Sequence, residues 1–383
     1  MKNSYYIKLN DICELITDGT HQTPTYSDNG YIFLSSKNVT NGIIDWENVK
    51  YIPEELHKKL YERIAPKIGD ILLAKNGTTG IAALVDKNII FDIYVSLALL
   101  RPKENILPEY LLWAINNPYT KRKFQANLKG IGVPNLHLSS IKETEIKFYE
   151  FSQQIYISNI MKRCQKIIDL KKQQLSELDR LVKFQFLKMF GMGSNDMKHI
   201  GDIANICRGA SPRPISKYVT NENDGVNWIK IGDVSEKDIY ITHTSEKITK
   251  DGAKKSRAVE PGDFILSNSM SFGRPYLVGI NGCVHDGWLI ISGYQEYLDP
   301  LFFYYELRSD LVQRQFNGSA NGSCVKNLNS DLVKKVKIYV PPKEQQILFA
   351  DFVKKVDKSK VELQKSIDET QLLFDSLMDR YFG

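Results

Sequence analysis

IYISNIMKRCQKIIDLKKQQLSELDRLVKFQFLKMFG, residues 155–191, is the stretch that decides the fold. Starting at Ile157, the positions Met161, Cys164, Ile168, Lys171, Leu175, Leu178, Val182, Gln185 and Met189 follow in alternating steps of four and three. The same rhythm returns in ILFADFVKKVDKSKVELQKSIDETQLLFDSLMDRYFG, residues 347–383, at Phe349, Val353, Val356, Lys360, Leu363, Ile367, Thr370, Phe374, Leu377 and Tyr381. Sustained three-four spacing over several heptads marks a coiled-coil seam. Its apolar members are Met161, Cys164, Ile168, Leu175, Leu178 and Val182, against Val353, Val356, Leu363, Ile367, Phe374 and Leu377. The polar exceptions, Lys171 and Gln185 against Lys360 and Thr370, suit a register-setting role. An amphipathic helix lying on a globular core is the plainer alternative, but two stretches of this length pair more economically with each other.

The two helices belong to a larger duplication. Phe190-Gly191 recurs as Phe382-Gly383, an offset of 192 residues, and the same offset relates Pro108 to Pro300, Phe124 to Phe316, Asn135 to Asn327 and Gln153-Gln154 to Gln345-Gln346. Such a duplication builds a pseudo-two-fold molecule from one chain. The expected divisions are a first strand-rich domain over 1–150, a helix over 151–191, a second strand-rich domain over 192–341 and a helix over 342–383. The fold class is α+β, with the helices forming an antiparallel coiled coil. A helix of roughly 38 residues runs about 57 Å. That is a spacer comparable with some 10 to 17 base pairs of duplex, at about 3.4 Å per step. Two heads at a fixed separation would suit a split DNA site.

The strand-rich parts read as short β segments punctuated by Gly, Asn, Asp and Pro. The first copy carries YIFLSS, GDILLAK, IAALV and YVSLALL; the second carries WIKIGDV, GDFILSN, PYLVGI and GWLIIS. Their alternation is not strict, so several strands are expected to be buried on both faces of a compact or barrel-like core. Helical segments follow at 108–130 and 299–322, each ending in a Gly-rich loop.

Composition narrows the function. The apolar fraction is 42% and the charged fraction 25%, ordinary for a soluble globular protein. The net charge of +6 accommodates an anionic partner without identifying one. The five cysteines form no CxxC pair and show no metal-ligand spacing, which fits a reducing cytoplasm. MKNSYYIKLND lacks the apolar core of a signal peptide, and no run reaches a membrane span of about 18 residues.

The ordered motifs resemble the specificity subunit of type I restriction–modification systems. ITDGTHQTPTY (16–26) with YIFLSSKNVTNG is similar to the opening of many target recognition domains in that family. CRGASPRPI (207–215) with GVNWIKIGDV looks like a second variant of the same opening. GDILLAKNGTTG and GDFILSNSMSFGRP resemble its central strand-loop element, and PPKEQQ (341–346) resembles the start of its helical conserved region. The first copy keeps the paired glutamine there and lacks the prolines. The resemblance covers essentially the whole chain. It implies two target recognition domains, each reading half of an asymmetric bipartite DNA sequence, and helices that dock two modification subunits. It places S-adenosylmethionine in the modification partner, and ATP and magnesium in two restriction subunits. The chain itself would be a non-catalytic guide without a cofactor.

The residues agree with a chain that does no chemistry. Asn116-Asn117-Pro118-Tyr119 superficially resembles an amino-methyltransferase motif but has Asn where the first Pro belongs. No Gly-rich strand-to-helix turn precedes it, and the second copy reads Arg308-Ser309-Asp310-Leu311, so a break between two helices is the better reading. No P-loop and no nucleophile elbow occurs.

Base readout needs Arg, Lys, Asn, Gln, Ser or Thr at base edges, and phosphate contacts need cations and amides near glycine. Three loop pairs meet that description. The first is Asp18–Thr23, with Thr20, His21 and Gln22, against Arg208–Arg213, with Arg208, Ser211 and Arg213. The second offers Lys75, Asn76 and Thr78 against Asn268, Ser269, Ser271 and Arg274. The third is a basic helix end with Lys121, Arg122 and Lys129 against Arg314 and Asn321. Lys37 and Lys230, in the segments after the openings, complete the set. Each has a structural alternative: a plain turn at Asp-Gly-Thr, drift after duplication at the second loop, a solvated cationic helix end at the third. His57, His243 and His285 are isolated and read as structural or exposed rather than as ligands. A coiled-coil scaffold that never meets DNA is the competing function. It does not explain why matched loops carry unrelated polar residues. An independent enzyme is disfavoured by the missing cofactor motifs.

Overall fold

The computed structural model describes residues 4–40, 42–128, 134–191, 197–236, 238–268, 272–318 and 328–383. Contacts divide them into two units, 1–172 with 365–383, and 173–364.

The first head begins with β1 (Tyr5–Lys8), α1 (Leu9–Ile12), β2 (Cys13–Asp18), β3 (Tyr31–Leu34), β4 (Lys50–Ile52) and α2 (Glu54–Arg63). It continues with β5 (Ile71–Ala74), β6 (Ala82–Leu84), β7 (Phe91–Ile93) and β8 (Leu97–Pro102). Then come α3 (Pro108–Asn116), α4 (Pro118–Ala126), α5 (Leu138–Glu143) and β9 (Glu145–Phe148). A four-stranded sheet runs β2-β8-β5-β6, a three-stranded one β4-β3-β7, and β1 pairs antiparallel with β9. The sequence ILLA of β5 explains the layering. Ile71 and Leu73 point into one core with the helices, while Leu72 and Ala74 point into a second core with Phe91 and Ile93 of the smaller sheet. A period-two strand buried on both faces needs apolar residues at every position. His57 of α2 is buried, bonds Asp92 of β7 at 2.7 Å and stacks on Tyr31 at 3.7 Å, so it is a structural residue.

The second head repeats the plan. Its elements are β10 (Met197–His199), α7 (Ile200–Ile203), β11 (Asn205–Arg208), β12 (Val219–Thr220), β13 (Val226–Ile229), β14 (Tyr240–Ile241) and β15 (Glu246–Ile248). They are followed by α8 (Lys250–Ala253), β16 (Arg257–Val259), β17 (Phe264–Ser267), β18 (Pro275–Val278), β19 (Gly282–Val284) and β20 (Trp288–Ser292). Helices α9 (Pro300–Leu307), α10 (Asp310–Gly318) and α11 (Ser330–Lys335) lead to β21 (Lys337–Tyr339). Two five-stranded sheets run β11-β20-β17-β18-β14 and β12-β15-β13-β19-β16. In β17, Phe264 and Leu266 face the helices and Ile265 faces the other sheet.

The Asn-Asn-Pro-Tyr stretch is a helix junction. Asn117 is buried, closes α3 and caps α4 by accepting from the amides of Tyr119 at 2.8 Å and Thr120 at 3.0 Å, with Pro118 at the first helical position. The amide of Asn116 exchanges two bonds with the backbone of Ala82, at 3.0 and 2.8 Å. Both amides are occupied by the fold.

Two 40-residue helices, α6 (Phe151–Phe190) and α12 (Lys343–Phe382), run through both units. In the first unit Ile157, Met161, Cys164 and Ile168 of α6 share a core with Phe374, Met378, Tyr381 and Phe382 of α12. In the second, Val182, Phe186 and Phe190 share one with Phe349, Ala350, Val353 and Val356. Within each unit the helix segments therefore run in opposite directions. Leu175, Leu178, Leu363 and Leu377 are half-buried. The lysines of the seam meet polar partners on the other helix. Lys171 donates to the Ser366 hydroxyl at 2.7 Å and the Thr370 hydroxyl at 2.8 Å, and Lys360 pairs with Asp179 at 2.6 Å. Towards the helix ends the buried stripe leaves the heptad: Phe186 and Met378 are buried where Gln185 and Leu377 are only half-buried. A straight helix drifts against a seven-residue repeat. At these ends the helix also packs on its head, Phe186 lying 5.9 Å from Phe302 of α9.

The paired glutamines explain how each helix starts. Gln154 accepts from Leu107 N–H at 2.8 Å and donates to the Tyr149 carbonyl at 2.8 Å; Gln346 accepts from Asp299 N–H at 2.7 Å and donates to the Pro341 carbonyl at 2.8 Å. Both side chains are fully buried. Each fastens the first turn of a long helix to the loop before α3 or α9, the same joint made twice.

Glu306 of α9 breaks the symmetry. It is 4% exposed, accepts from Tyr339 N–H at 3.0 Å, and burial pushes its pKa from an ordinary 4.5 up to about 7. The folded state thus holds this proton more tightly than the unfolded chain. The stabilisation is complete below pH 4.5 and is lost as pH rises through 7. The full loss is about 3 kcal/mol. Glu306→Gln keeps the acceptor and removes the charge. Urea titrations of the two proteins at pH 5 and pH 8 should show a smaller decline for the variant. Parallel declines would contradict the assignment.

Candidate nucleic-acid interface

Each head gathers two loops at one end of one sheet, after β2 and β5 in the first head and after β11 and β17 in the second, held by the same main-chain bonds. Gly19 N–H donates to Leu97 O at 3.3 Å and Gly209 N–H to Trp288 O at 2.9 Å. Glycine is required at both: a Cβ would lie 2.0 Å from the Ile93 carbonyl oxygen in the first head and 2.1 Å from that of His285 in the second. The second loops match as well. Lys75 N–H donates to Ser96 O at 2.8 Å and Asn268 N–H to Gly287 O at 3.0 Å, and each residue's carbonyl accepts from a leucine, Leu136 or Leu328, at 3.0 Å. Gly80 and Gly273, at φ +86° and +70°, turn these loops back over Phe124 and Phe316.

On this common frame the side chains diverge. In the first head Asp18 is buried and takes Lys75 Nζ at 2.5 Å, His21 Nε2 at 3.3 Å and Arg63 at 3.6 Å. Arg63 also donates to the carbonyls of Asp18 and Gly19, at 3.1 and 3.3 Å. In the second head Arg208 occupies the place of Asp18, and the acid is Asp286, on the turn after β19. Its carboxylate accepts from the Ser211 hydroxyl at 2.7 Å and lies 3.3 Å from Arg213 Nη2. Its carbonyl accepts from Arg208 Nε and Asn268 Nδ2, both at 2.9 Å. The Ser211 hydroxyl first, and Arg213 as well, hold the Asp286 carboxyl below its ordinary range against the opposing effect of burial. A cleft of about 880 Å³ opens here between Ser211, Arg213, Lys230, Glu246, His285 and Asp286. Lys230 pairs with Glu246 at 2.6 Å across it, and burial lowers the pKa of His285.

The expected contact residues fall into four groups. His21, Gln22, Lys37, Thr78, Arg122, Arg208, Arg213 and Arg314 are exposed, and Asn76, Lys121, Ser211, Lys230 and Arg274 are half-buried. Arg122 lies 4.6 Å over Tyr119, Arg314 bonds back to its own helix at Asp310, and Arg274 pairs with Glu236 at 2.9 Å. Burial alone lowers the pKa of Lys121. Thr20, Lys75 and Asn268 are buried and hold the loops in place. Lys129, Ser269, Ser271 and Asn321 lie outside the described residues. The sequence reading placed Asp18 in the first loop without a role and passed over Arg63, Glu246 and Asp286. The His-Asp-Gly turn at 285–287 was the one local signal for Asp286, and the first head has Tyr94, Val95 and Ser96 at the matched places.

The sequence profile of the type I restriction modification DNA specificity domain matches this chain twice, over residues 1–180 and 192–370. The chain belongs to that family. This specificity subunit is similar to the provisionally named type I restriction enzyme MjaX specificity subunit of Methanocaldococcus jannaschii, at 23% identity over 91% of this chain and 86% of the relative. Its fold is that of a chain solved in work on complex assembly and conformational transition of the type I R-M system, with a TM-score of 0.66, 16% identity, and coverage of 100% of this chain and 98% of that one. The S subunit from M. genitalium matches with a TM-score of 0.57 at 15% identity, over 100% of this chain and 96% of that one. The specificity subunit recognises DNA sequence within a type I complex, while the catalytic activities lie in other subunits, and its family implies no cofactor of its own. No helix among the described residues is long and apolar enough to cross a membrane.

Proposed function

We propose that the two heads read two different half-sites of one asymmetric, gapped DNA target. The observation that carries this is the exchange of charged groups on a conserved frame: a buried Asp18–Lys75 pair in one head, an Arg208–Asp286–Arg213 cluster at the same loops in the other. Equal frames with unequal polar edges present different donor and acceptor patterns to the major groove. In this reading His21, Gln22, Lys37 and Thr78 act for the first head, and Arg208, Ser211, Arg213 and Lys230 for the second. Arg122, Lys121, Arg274 and Arg314 approach phosphates, with Lys129, Ser269, Ser271 and Asn321 as further contacts. Thr20, Asn76, Lys75 and Asn268 shape the loops.

The strand-rich heads, 1–150 and 192–341, are the target recognition domains, and the helices over 151–191 and 342–383 are the spacer that docks two modification subunits. Those partners supply S-adenosylmethionine. Two restriction subunits supply ATP and magnesium chemistry, and the complex works in the cytoplasm. The reading is tested by mapping methylated positions in DNA treated with this chain and its modification subunit. A gapped motif with unlike halves is expected. A palindromic or continuous motif would overturn it.

A further inference from the structure

We propose that Arg213 reads a guanine in the half-site of the second head, and that Asp286 is the residue that positions it. The inference rests on the gapped two-head reading above and assigns one base contact within it.

Arg213 stands between Pro212 and Pro214, whose rings fix the backbone on either side. Its side chain is 81% exposed, and its Nη2 lies 3.3 Å from the Asp286 carboxylate. Asp286 is itself anchored at its side chain by the Ser211 hydroxyl, at 2.7 Å, and at its carbonyl by Arg208 and Asn268, both at 2.9 Å. A guanidinium carries five donors in a planar fork. One edge meets Asp286 and the rest faces the cleft of about 880 Å³.

Two ligands match an open arginine fork: a phosphate, and the O6 and N7 acceptors of guanine. The charges of the cleft separate them. A phosphate approaching Arg213 also approaches Asp286, whose side chain is 41% exposed and whose charge already offsets the guanidinium, while Glu246 in the same cleft is held by Lys230 at 2.6 Å. A guanine edge offers the same pair of acceptors without net charge and escapes that repulsion. Adenine is rejected, because its N6 amine would turn a donor towards a donor. The first head has Thr23 at the matched place, so this contact belongs to one half-site only.

The test uses the full chain with its modification subunit and a duplex library randomised over both half-sites, with methylated products sequenced. Arg213→Ala is expected to lower discrimination at a single G·C pair of one half-site by about 5- to 150-fold, leaving the other positions as they were. Arg213→Lys keeps the charge and loses the fork, so it should relax the same pair with an unchanged salt dependence. Asp286→Asn should relax that pair to a smaller extent, which a role confined to stability would not do. A uniform loss across the library, relaxation at an A·T pair, or full discrimination in Arg213→Ala would each overturn the assignment. An ungapped wild-type motif would instead overturn the two-head reading, and this contact with it.

Discussion

Replacing Lys75 by alanine is expected to destabilise the first unit by about 3–5 kcal/mol. Lys75 is 5% exposed and Asp18 4%, and they meet at 2.5 Å. Removing the lysine leaves a buried carboxylate whose remaining neighbours are His21 at 3.3 Å and Arg63 at 3.6 Å. Those two place the loss towards the lower end of the range. The penalty comes from the stranded charge, so removing both groups together should recover most of it. The pair Asp18→Leu with Lys75→Met is therefore the informative companion. Urea unfolding followed by hydrogen exchange over β2 and β5 distinguishes the cases. A loss below about 1 kcal/mol in Lys75→Ala would show that the pair is not needed. Because Lys75 does not reach solvent, the salt dependence of DNA binding should be unchanged in any variant that stays folded.

Phe349→Ala is the second large effect, at about 3–5 kcal/mol. Phe349 is fully buried at the start of α12, with ring centroids 5.4 Å from Phe186, 5.7 Å from Phe190 and 5.3 Å from Tyr305. It thus joins three helices, α6, α9 and α12, in one core. Truncation should lower hydrogen-exchange protection in α9 as well as in the long helices. Loss confined to α12 would mean that head and helices unfold separately, contrary to their shared packing.

The parts of the fold with a period were legible before any coordinates. The alternating steps from Ile157 onward gave two long helices, and the constant offset between Gln154 and Gln346 gave two heads. Legibility failed where contacts join residues distant in the chain. Lys75 looked like a DNA contact because it stands in a Gly-containing loop, but it is buried against Asp18, 57 positions away. Asp286 did not stand out in the comparison of the copies because its first-head counterpart is Val95, which left no acid to match. At the helix ends Phe186 replaced Gln185 in the core because the head offers a second apolar surface, which no heptad rule includes.

The division of the long helices between units has a consequence for synthesis. Residues 173–364 form one contiguous unit, whereas the other joins 1–172 to 365–383. All residues of the second unit are therefore made before the segment of the first that carries Phe374, Met378, Tyr381 and Phe382. The N-terminal half of the chain is made first and finished last. Its apolar face along Ile157, Met161 and Ile168 waits for a partner about 200 residues downstream, a long loop to close. Until that segment is made, the first unit carries apolar surface of the kind that promotes association between incompletely folded chains.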